Sequence, residues 1–97
     1  MLNKKCSITV RTENREENGA DYEYKLTVEK SERFAGYALP LYSIFVQMKD
    51  KDGTITNAEA KELFADVNKA HTFFDMLVEN LATPIDLPYI IEDELSN

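Results

Sequence analysis

The fold of this chain is decided by a twelve-residue stretch in its middle, Met48-Lys49-Asp50-Lys51-Asp52-Gly53-Thr54-Ile55-Thr56-Asn57-Ala58-Glu59. The stretch matches part of the ligand pattern of a calcium loop. Asp50 and Asp52 take the third and fifth places, and Gly53 takes the sixth, where such a loop turns sharply. Glu59 takes the twelfth place, which holds a bidentate carboxylate. The stretch therefore predicts either a metal loop between two helices or a turn between two strands.

The residue at the first position of the loop pattern argues against calcium binding. Calcium loops have an aspartate there, whereas this chain has Met48. A thioether is a soft donor, and calcium prefers hard oxygen ligands. A degenerate EF-hand-like site would have to bind calcium through four residues, Asp50, Asp52, Thr54 and Glu59. We keep this site as the alternative, and the preferred interpretation contains no metal and no cofactor.

The segment before the loop favours a turn. Residues 41–48 are rich in β-branched and aromatic side chains and follow Gly36 and Pro40, which makes them a poor entering helix and a good strand. In a hairpin, Asp52-Gly53 would supply the positive φ angles of the turn. Residues 57–65 stay ambiguous, because Thr56–Glu59 has the form of a capping box and good helix formers follow it.

Two more strands are predicted nearer the start of the chain. The first has Cys6, Ile8 and Val10 alternating with polar residues. Asn18-Gly19 indicates a turn. The second strand has the clearest alternation in the chain, with apolar or aromatic residues at four alternate positions, Tyr22, Tyr24, Leu26 and Val28.

The second half of the chain contains helices. Apolar residues with helical spacing predict a main helix over about residues 66–81, namely Val67, Ala70, Phe74, Leu77, Val78 and Leu81. Asp66 is a suitable N-cap, and Pro84 ends the helix. A short last helix is predicted from about Leu87 to Leu95, with its apolar residues packed on the sheet or the main helix.

Together these elements predict an α+β fold in one domain over residues 1–97. An antiparallel sheet of three to four strands packs against one main helix, and a short C-terminal helix joins that layer.

Charge and composition limit the function classes. The net charge is −7, with a net +1 in residues 1–49 and a net −8 in residues 50–97. Such acidity disfavours nucleic acids and anionic membranes, whereas a basic protein partner or a divalent cation is electrostatically easier. We expect the acidity mainly to confer solubility. No stretch approaches the roughly 20 apolar residues of a membrane span. With one cysteine and no secretory pattern, we expect a cytoplasmic protein.

Residues suited to catalysis are few. His71 lies at the edge of the apolar face of the main helix, where packing is the usual role. Cys6 lies on the predicted N-terminal strand and is expected to act as a small hydrophobic residue. No helix N-terminus or fixed cation lies beside it in sequence to lower the pKa of its thiol. We therefore predict a protein that is not an enzyme.

Three short runs within roughly residues 22–95 resemble one protein family. The C-terminal run 81–95 contains Thr83-Pro84-Ile85 and ends in Ile91-Glu92-Asp93-Glu94-Leu95. It resembles the ending of a family of small proteins of unknown function from anaerobic Firmicutes. Tyr42-Ser43-Ile44 is similar to a Tyr-Gly-Ile strand in that family, with Ser43 in place of the usual glycine, and Tyr22-Glu23-Tyr24-Lys25-Leu26 is similar to a strand of its earlier hairpin. The resemblance implies a bacterial protein with a fourth strand after the central turn, and it implies no activity.

The expected function is therefore a non-enzymatic protein-interaction or regulatory binding module. Tyr22, Tyr24 and Tyr42 are the candidate interaction surface, because an aromatic patch on a sheet can bind a partner. A homodimer formed through an open sheet edge or through the C-terminal helix is a further expectation. The identity of the protein partner does not follow from the sequence.

Overall fold

The alternating residues of the first two thirds of the chain form a four-stranded antiparallel sheet in the computed structural model, which describes residues 6–33 and 37–96. The elements in chain order are β1 (Cys6–Glu17), β2 (Ala20–Arg33), β3 (Tyr37–Lys49), β4 (Ile55–Phe64), α1 (Val67–Glu79) and α2 (Leu87–Leu95). Each strand pairs with the next, so the sheet order is β1-β2-β3-β4. This confirms the predicted α+β fold with its main helix and short C-terminal helix. The expected break at Gly36 lies outside the described residues.

The ambiguous segment after the central turn is a strand. β4 pairs Ala58 with Val46 and Ala60 with Ile44, which places two small side chains beneath the helices. The helix that the capping box suggested is therefore wrong. Pairing with β3 stabilises the segment more than one short helix could, because helix propensity is a weak local preference that tertiary packing overrides.

Two hairpin turns lie at the same end of the sheet. At Asn18 and Gly19 the φ angles are 53° and 83°, as a two-residue type I′ turn requires. At the second turn the Gly53 N–H donates to the Asp50 carbonyl at 2.9 Å, and Gly53 has a φ of 91°. The hairpin prediction is confirmed, but the expected positive φ at Asp52 is wrong. The loop has three residues and places the left-handed conformation at its glycine.

One face of the sheet carries the core. Its buried residues come from the two central strands, Tyr24, Leu26, Ile44 and Val46. They pack against the buried side of α1 and against Leu87 of α2. The opposite face carries no helix of the described chain, and the smallest overall dimension is 18 Å, which is close to the thickness of one sheet and one helical layer.

Both ends of α1 are stabilised by specific hydrogen bonds. Asp66 accepts from the Lys69 backbone N–H at 3.0 Å, as the sequence predicts. At the other end Arg15 of β1 donates from Nη1 to the Val78 carbonyl oxygen at 2.9 Å. Leu81 follows the helix with a φ of 55°, and the Ala82 N–H donates to the Leu77 carbonyl, which is the pattern of a Schellman motif. Arg15 therefore ties the edge strand to the end of the helix.

α2 has fewer packing and capping interactions than α1. Leu87 is buried and Ile90 and Ile91 are half-buried against the core, but Leu95 is 62% exposed, so its expected packing is wrong. Asp86 precedes the helix without a side-chain capping bond. None of the helices in the described part of the chain is long and apolar enough to cross a membrane.

Candidate binding surface on the helical layer

The candidate calcium ligands do not converge. The hairpin places Met48 opposite Thr56 and Glu59 opposite Phe45 on the other face of the sheet. A strand rises about 3.3 Å per residue, so Glu59 lies roughly 13 Å along β4 from Ile55 at the turn. Within the described ranges no group of three or more His, Cys, Asp or Glu side chains is placed to hold a metal ion.

The two aspartates of the turn interact with each other. Asp52 accepts from the Thr54 backbone N–H at 3.1 Å. Interaction with Asp52 raises the pKa of Asp50, and interaction with Asp50 together with the Thr54 N–H lowers the pKa of Asp52. The Asp50 Oδ1 atom is screened from solvent and has no hydrogen-bond partner. Asp52 thus has a structural role in the turn that explains its place in the sequence.

The three tyrosines of the expected interaction surface lie on the helix-covered face. Tyr24 is fully buried, and its hydroxyl donates to the Ala82 carbonyl oxygen at 2.8 Å. Its assignment to a binding surface is therefore wrong, because no partner could reach it. Tyr22 stacks on Tyr24 with ring centroids 6.4 Å apart, and Tyr42 meets His71 edge-on at 6.5 Å. Tyr22 and Tyr42 are half-buried, and their role in binding stays a prediction.

His71 belongs to a polar cluster between β1 and α1. Its Nδ1 atom lies 3.4 Å from Nη1 of Arg11. The Arg11 guanidinium also lies 2.8 Å from the Asp75 carboxylate and 4.8 Å from the centre of the Phe74 ring. Arg11 is thus held by an ion pair and a cation–π contact. The cluster holds α1 over the edge strand β1, so the contacts of His71 are structural ones.

Large apolar side chains are exposed on the outer side of α2. Tyr89 is 71% exposed and Ile85, just ahead of the helix, is 67% exposed. Glu92 lies one turn beyond Tyr89 and is exposed, and Leu95 lies at the flank. We call Ile85, Tyr89, Glu92 and Leu95 the α2 outer surface. Apolar side chains grouped in this way are typical of sites that bind another protein.

The charge of the chain is concentrated in this layer. Residues 65–97 contain seven acidic residues and one lysine, a net −6, whereas residues 1–64 carry a net −1. The last turn of α2 contains acidic residues and no basic one. Acidic groups at a helix C-terminus oppose the helix dipole, so this turn is locally destabilised in the free chain.

A groove of about 330 Å³ lies between the two helices. It is lined by Phe73 and Met76 of α1, by Lys69 and Glu94, and by two further polar residues. None of the four residues of the α2 outer surface lines this groove, so it is a separate feature of the helical layer.

Sequence reasoning missed Ile85 and Tyr89 as surface residues. With Leu87, Ile90 and Ile91 assigned to the inner side of a helix, positions 85 and 89 fall on the outer side at 100° per residue. The exposed position of Tyr89 could therefore have been found from helical periodicity. The strand tyrosines are predicted as the interaction surface instead, because alternation in a strand does not show which side of the sheet the helices cover.

Comparison with known proteins identifies a family. A model of a family of unknown function, DUF6514, matches residues 3–97. The searches of curated proteins and of solved structures found no match. The resemblance noted in the sequence is confirmed as far as a family of unknown function, while its taxonomic group and its terminal motif stay predictions.

Proposed function

We propose that this chain, which belongs to the family of unknown function DUF6514, is a non-enzymatic module that binds a basic protein segment through the α2 outer surface. The exposure of Tyr89 and Ile85 is the observation that carries the proposal. Burying an aromatic and a branched apolar side chain on a partner removes well over 100 Å² of apolar surface from water, which is favourable. The bacterial cytoplasm is the proposed compartment.

The charge of the helical layer selects the partner. A net −6 over residues 65–97 attracts cationic segments and accelerates their association. The same charge disfavours a second copy docked on this surface, because the two acidic layers would repel each other. A basic amphipathic segment satisfies both requirements, since its apolar side can cover Tyr89 and its Lys or Arg side chains can pair with Glu92.

Site-specific crosslinking in cells tests this surface. A photo-crosslinking residue is introduced at position 89, and the matched control carries it at position 57, an exposed site of β4 on the sheet face away from the helices. We expect a discrete adduct from position 89 only, with a partner segment rich in Lys and Arg. Purified partner should then bind the wild-type chain, and Glu92→Lys should weaken that binding about tenfold or more.

The proposal fails if positions 89 and 57 give the same adducts, or if the captured partner binds the Glu92→Lys variant as tightly as wild type. A Tyr89→Ala variant separates the apolar contribution from the charge. It should weaken binding without changing the salt dependence, because it removes contact area and leaves every charge in place.

A further inference from the structure

The outer edge of β1 is the longest unpaired edge in the described part of the sheet. β1 ends the strand order, and its twelve residues have no strand on their outer side there. The other edge strand, β4, is interrupted where Lys61, Glu62 and Leu63 stand opposite Ser43, with a φ of 53° at Glu62. Such a bulge twists an edge and hinders pairing, so the regular part of β4 is limited to Ile55–Ala60 and β1 has the longer edge that another strand could join.

β1 has two regular segments, and the longer one follows its irregularity. Its register with β2 shifts between Thr9 and Arg11, and pairing then runs without interruption from Arg11 to Glu17, where the type I′ turn begins. Asn14 is the centre of this seven-residue segment. Within it, Arg11, Glu13, Arg15 and Glu17 alternate in charge along the helix-covered side.

This alternation is complementary to itself in the antiparallel direction. If two copies of β1 pair about a two-fold axis at Asn14, Arg11 lies opposite Glu17 of the second copy and Glu13 lies opposite Arg15. Every charged position on the helix-covered side of the ladder then faces the opposite charge, and directly opposed ion pairs stabilise a sheet. We propose that the chain forms a homodimer in this way, with one continuous eight-stranded sheet.

Other arrangements of the same two strands are disfavoured. Shifting the register by two residues places Arg11 opposite Arg15 and Glu13 opposite itself, and parallel pairing in register places like charges opposite each other throughout. Like charges directly opposed destabilise a strand pair. Inward-pointing charges usually guard an edge against foreign strands. The charges of β1 disfavour any strand that lacks the opposite charges at the facing positions. A second copy of β1 has those opposite charges.

The helical layer leaves room for this pairing. The two-fold axis runs perpendicular to the sheet, so both helical layers lie on the same face. α2 packs on β4, away from the shared edge, and α1 packs on β2, β3 and β4 and contacts β1 through the side chains of Arg11 and Arg15. Arg15 donates to the Val78 carbonyl oxygen at the end of α1 and lies 3.3 Å from the Glu17 carboxylate. In the dimer, Glu13 of the second copy adds another carboxylate beside Arg15. The proposed interface is separate from the α2 outer surface.

Charge variants test the association by sedimentation equilibrium. A seven-residue strand pair gives a small interface, so we expect a dissociation constant on the order of 10–1,000 µM. Glu13→Lys combined with Glu17→Lys turns the opposed pairs into like charges and should weaken association about tenfold or more. The control is Glu16→Lys, which makes the same change on the other side of β1, where it faces Thr12 of the second copy, and should change association less than about threefold.

Disulfide trapping tests the register. In a Cys6→Ser background, Asn14→Cys places two thiols directly opposite each other and should give a crosslinked dimer under mild oxidation. Glu16→Cys, on the same side of the strand, places its thiols four residues apart along the pair, roughly 13 Å, and should not crosslink. Equal crosslinking at both positions, a dimer that position 14 does not trap, or a monomer at millimolar concentration would each overturn the proposal.

Discussion

The Tyr24 hydroxyl donates a 2.8 Å hydrogen bond to the Ala82 carbonyl oxygen, and both residues are buried. The bond joins the centre of the sheet to the connection between the two helices, 58 positions later in the chain. It satisfies a carbonyl group just beyond the Schellman motif that ends α1.

Removing this hydroxyl should destabilise the fold. Tyr24→Phe keeps the ring and its stacking on Tyr22 but leaves the Ala82 carbonyl buried without its donor. We expect a loss of about 1–3 kcal/mol in the free energy of unfolding, measured by urea denaturation. Tyr89→Phe removes an exposed hydroxyl and should change stability by less than about 0.5 kcal/mol. Equal effects of the two changes would contradict the role assigned to Tyr24.

The same hydroxyl should make stability fall at high pH. Burial raises the pKa of Tyr24 to about 12, and Tyr22 adds to the shift. Between the pKa of an unfolded tyrosine, about 10, and the folded value, the unfolded chain loses its proton while the folded chain keeps it. The folded state then binds more protons, so the free energy of unfolding decreases as pH rises through this window.

Urea denaturation at pH 9, 10 and 11 measures this effect. The free energy of unfolding of the wild type should fall relative to that of Tyr24→Phe, by roughly 1–1.5 kcal/mol between pH 9 and pH 11. Other groups titrate in the same range, and subtracting the variant removes their contribution. A difference between the two proteins that stays constant with pH would show that Tyr24 does not titrate in this way.

Arg15 should stabilise the end of α1. Its guanidinium donates to the Val78 carbonyl oxygen, where the helix dipole favours a cation. Arg15→Met keeps most of the apolar stem and should cost about 1–2 kcal/mol. Glu17→Gln breaks only a partly exposed ion pair and should cost less than about 0.5 kcal/mol. Thermal unfolding with backbone NMR shifts at residues 76–81 would locate the change.

The bulge opposite Ser43 combines a hydrogen bond with backbone strain. Buried Ser43 accepts from the Glu62 backbone N–H at 2.9 Å, and Glu62 holds a φ of 53°. Ser43→Ala removes the acceptor and should cost about 1 kcal/mol. Glu62→Gly relieves the positive φ and should stabilise by about 0.5–1 kcal/mol. Glu59→Gly, on an ordinary strand position, should instead destabilise by about 0.5–1 kcal/mol.

Calcium should have no effect on this protein at physiological concentrations. Glu59 lies on a strand far from the turn, so it cannot close a coordination shell with Asp50 and Asp52. Calorimetric titration with calcium up to about 1 mM should give no binding heat, for wild type and for Glu59→Gln alike. Micromolar binding that Glu59→Gln abolishes would restore the EF-hand-like alternative.

Much of the fold follows from periodicity in the sequence. Val67 to Leu81 has one apolar side and a capping aspartate, so α1 follows from its own residues. Asn18-Gly19 suits only a few turn types, and the structure has the one that such a pair favours. These features depend on neighbours within a few positions of the chain.

The strand β4 and the binding surface depend on distant partners instead. Ala58 and Ala60 are good helix formers, and only their pairing with β3 makes them strand residues. The sequence likewise shows that Tyr24 alternates with polar residues, but not that the two helices cover its side of the sheet. The bulge at Glu62 has no local pattern, because it is fixed by a serine 19 positions earlier.

The order of the sheet sets the order of folding during synthesis. Since every strand pairs with its immediate neighbour in the chain, each hairpin can close as soon as its second strand has emerged from the ribosome. The helices are made after the strands, so the apolar side of the sheet stays uncovered until Asp66 and the residues after it have been synthesised. α1 and α2 therefore cover the apolar side of a sheet made before them, and a protein truncated before α1 should aggregate rather than fold.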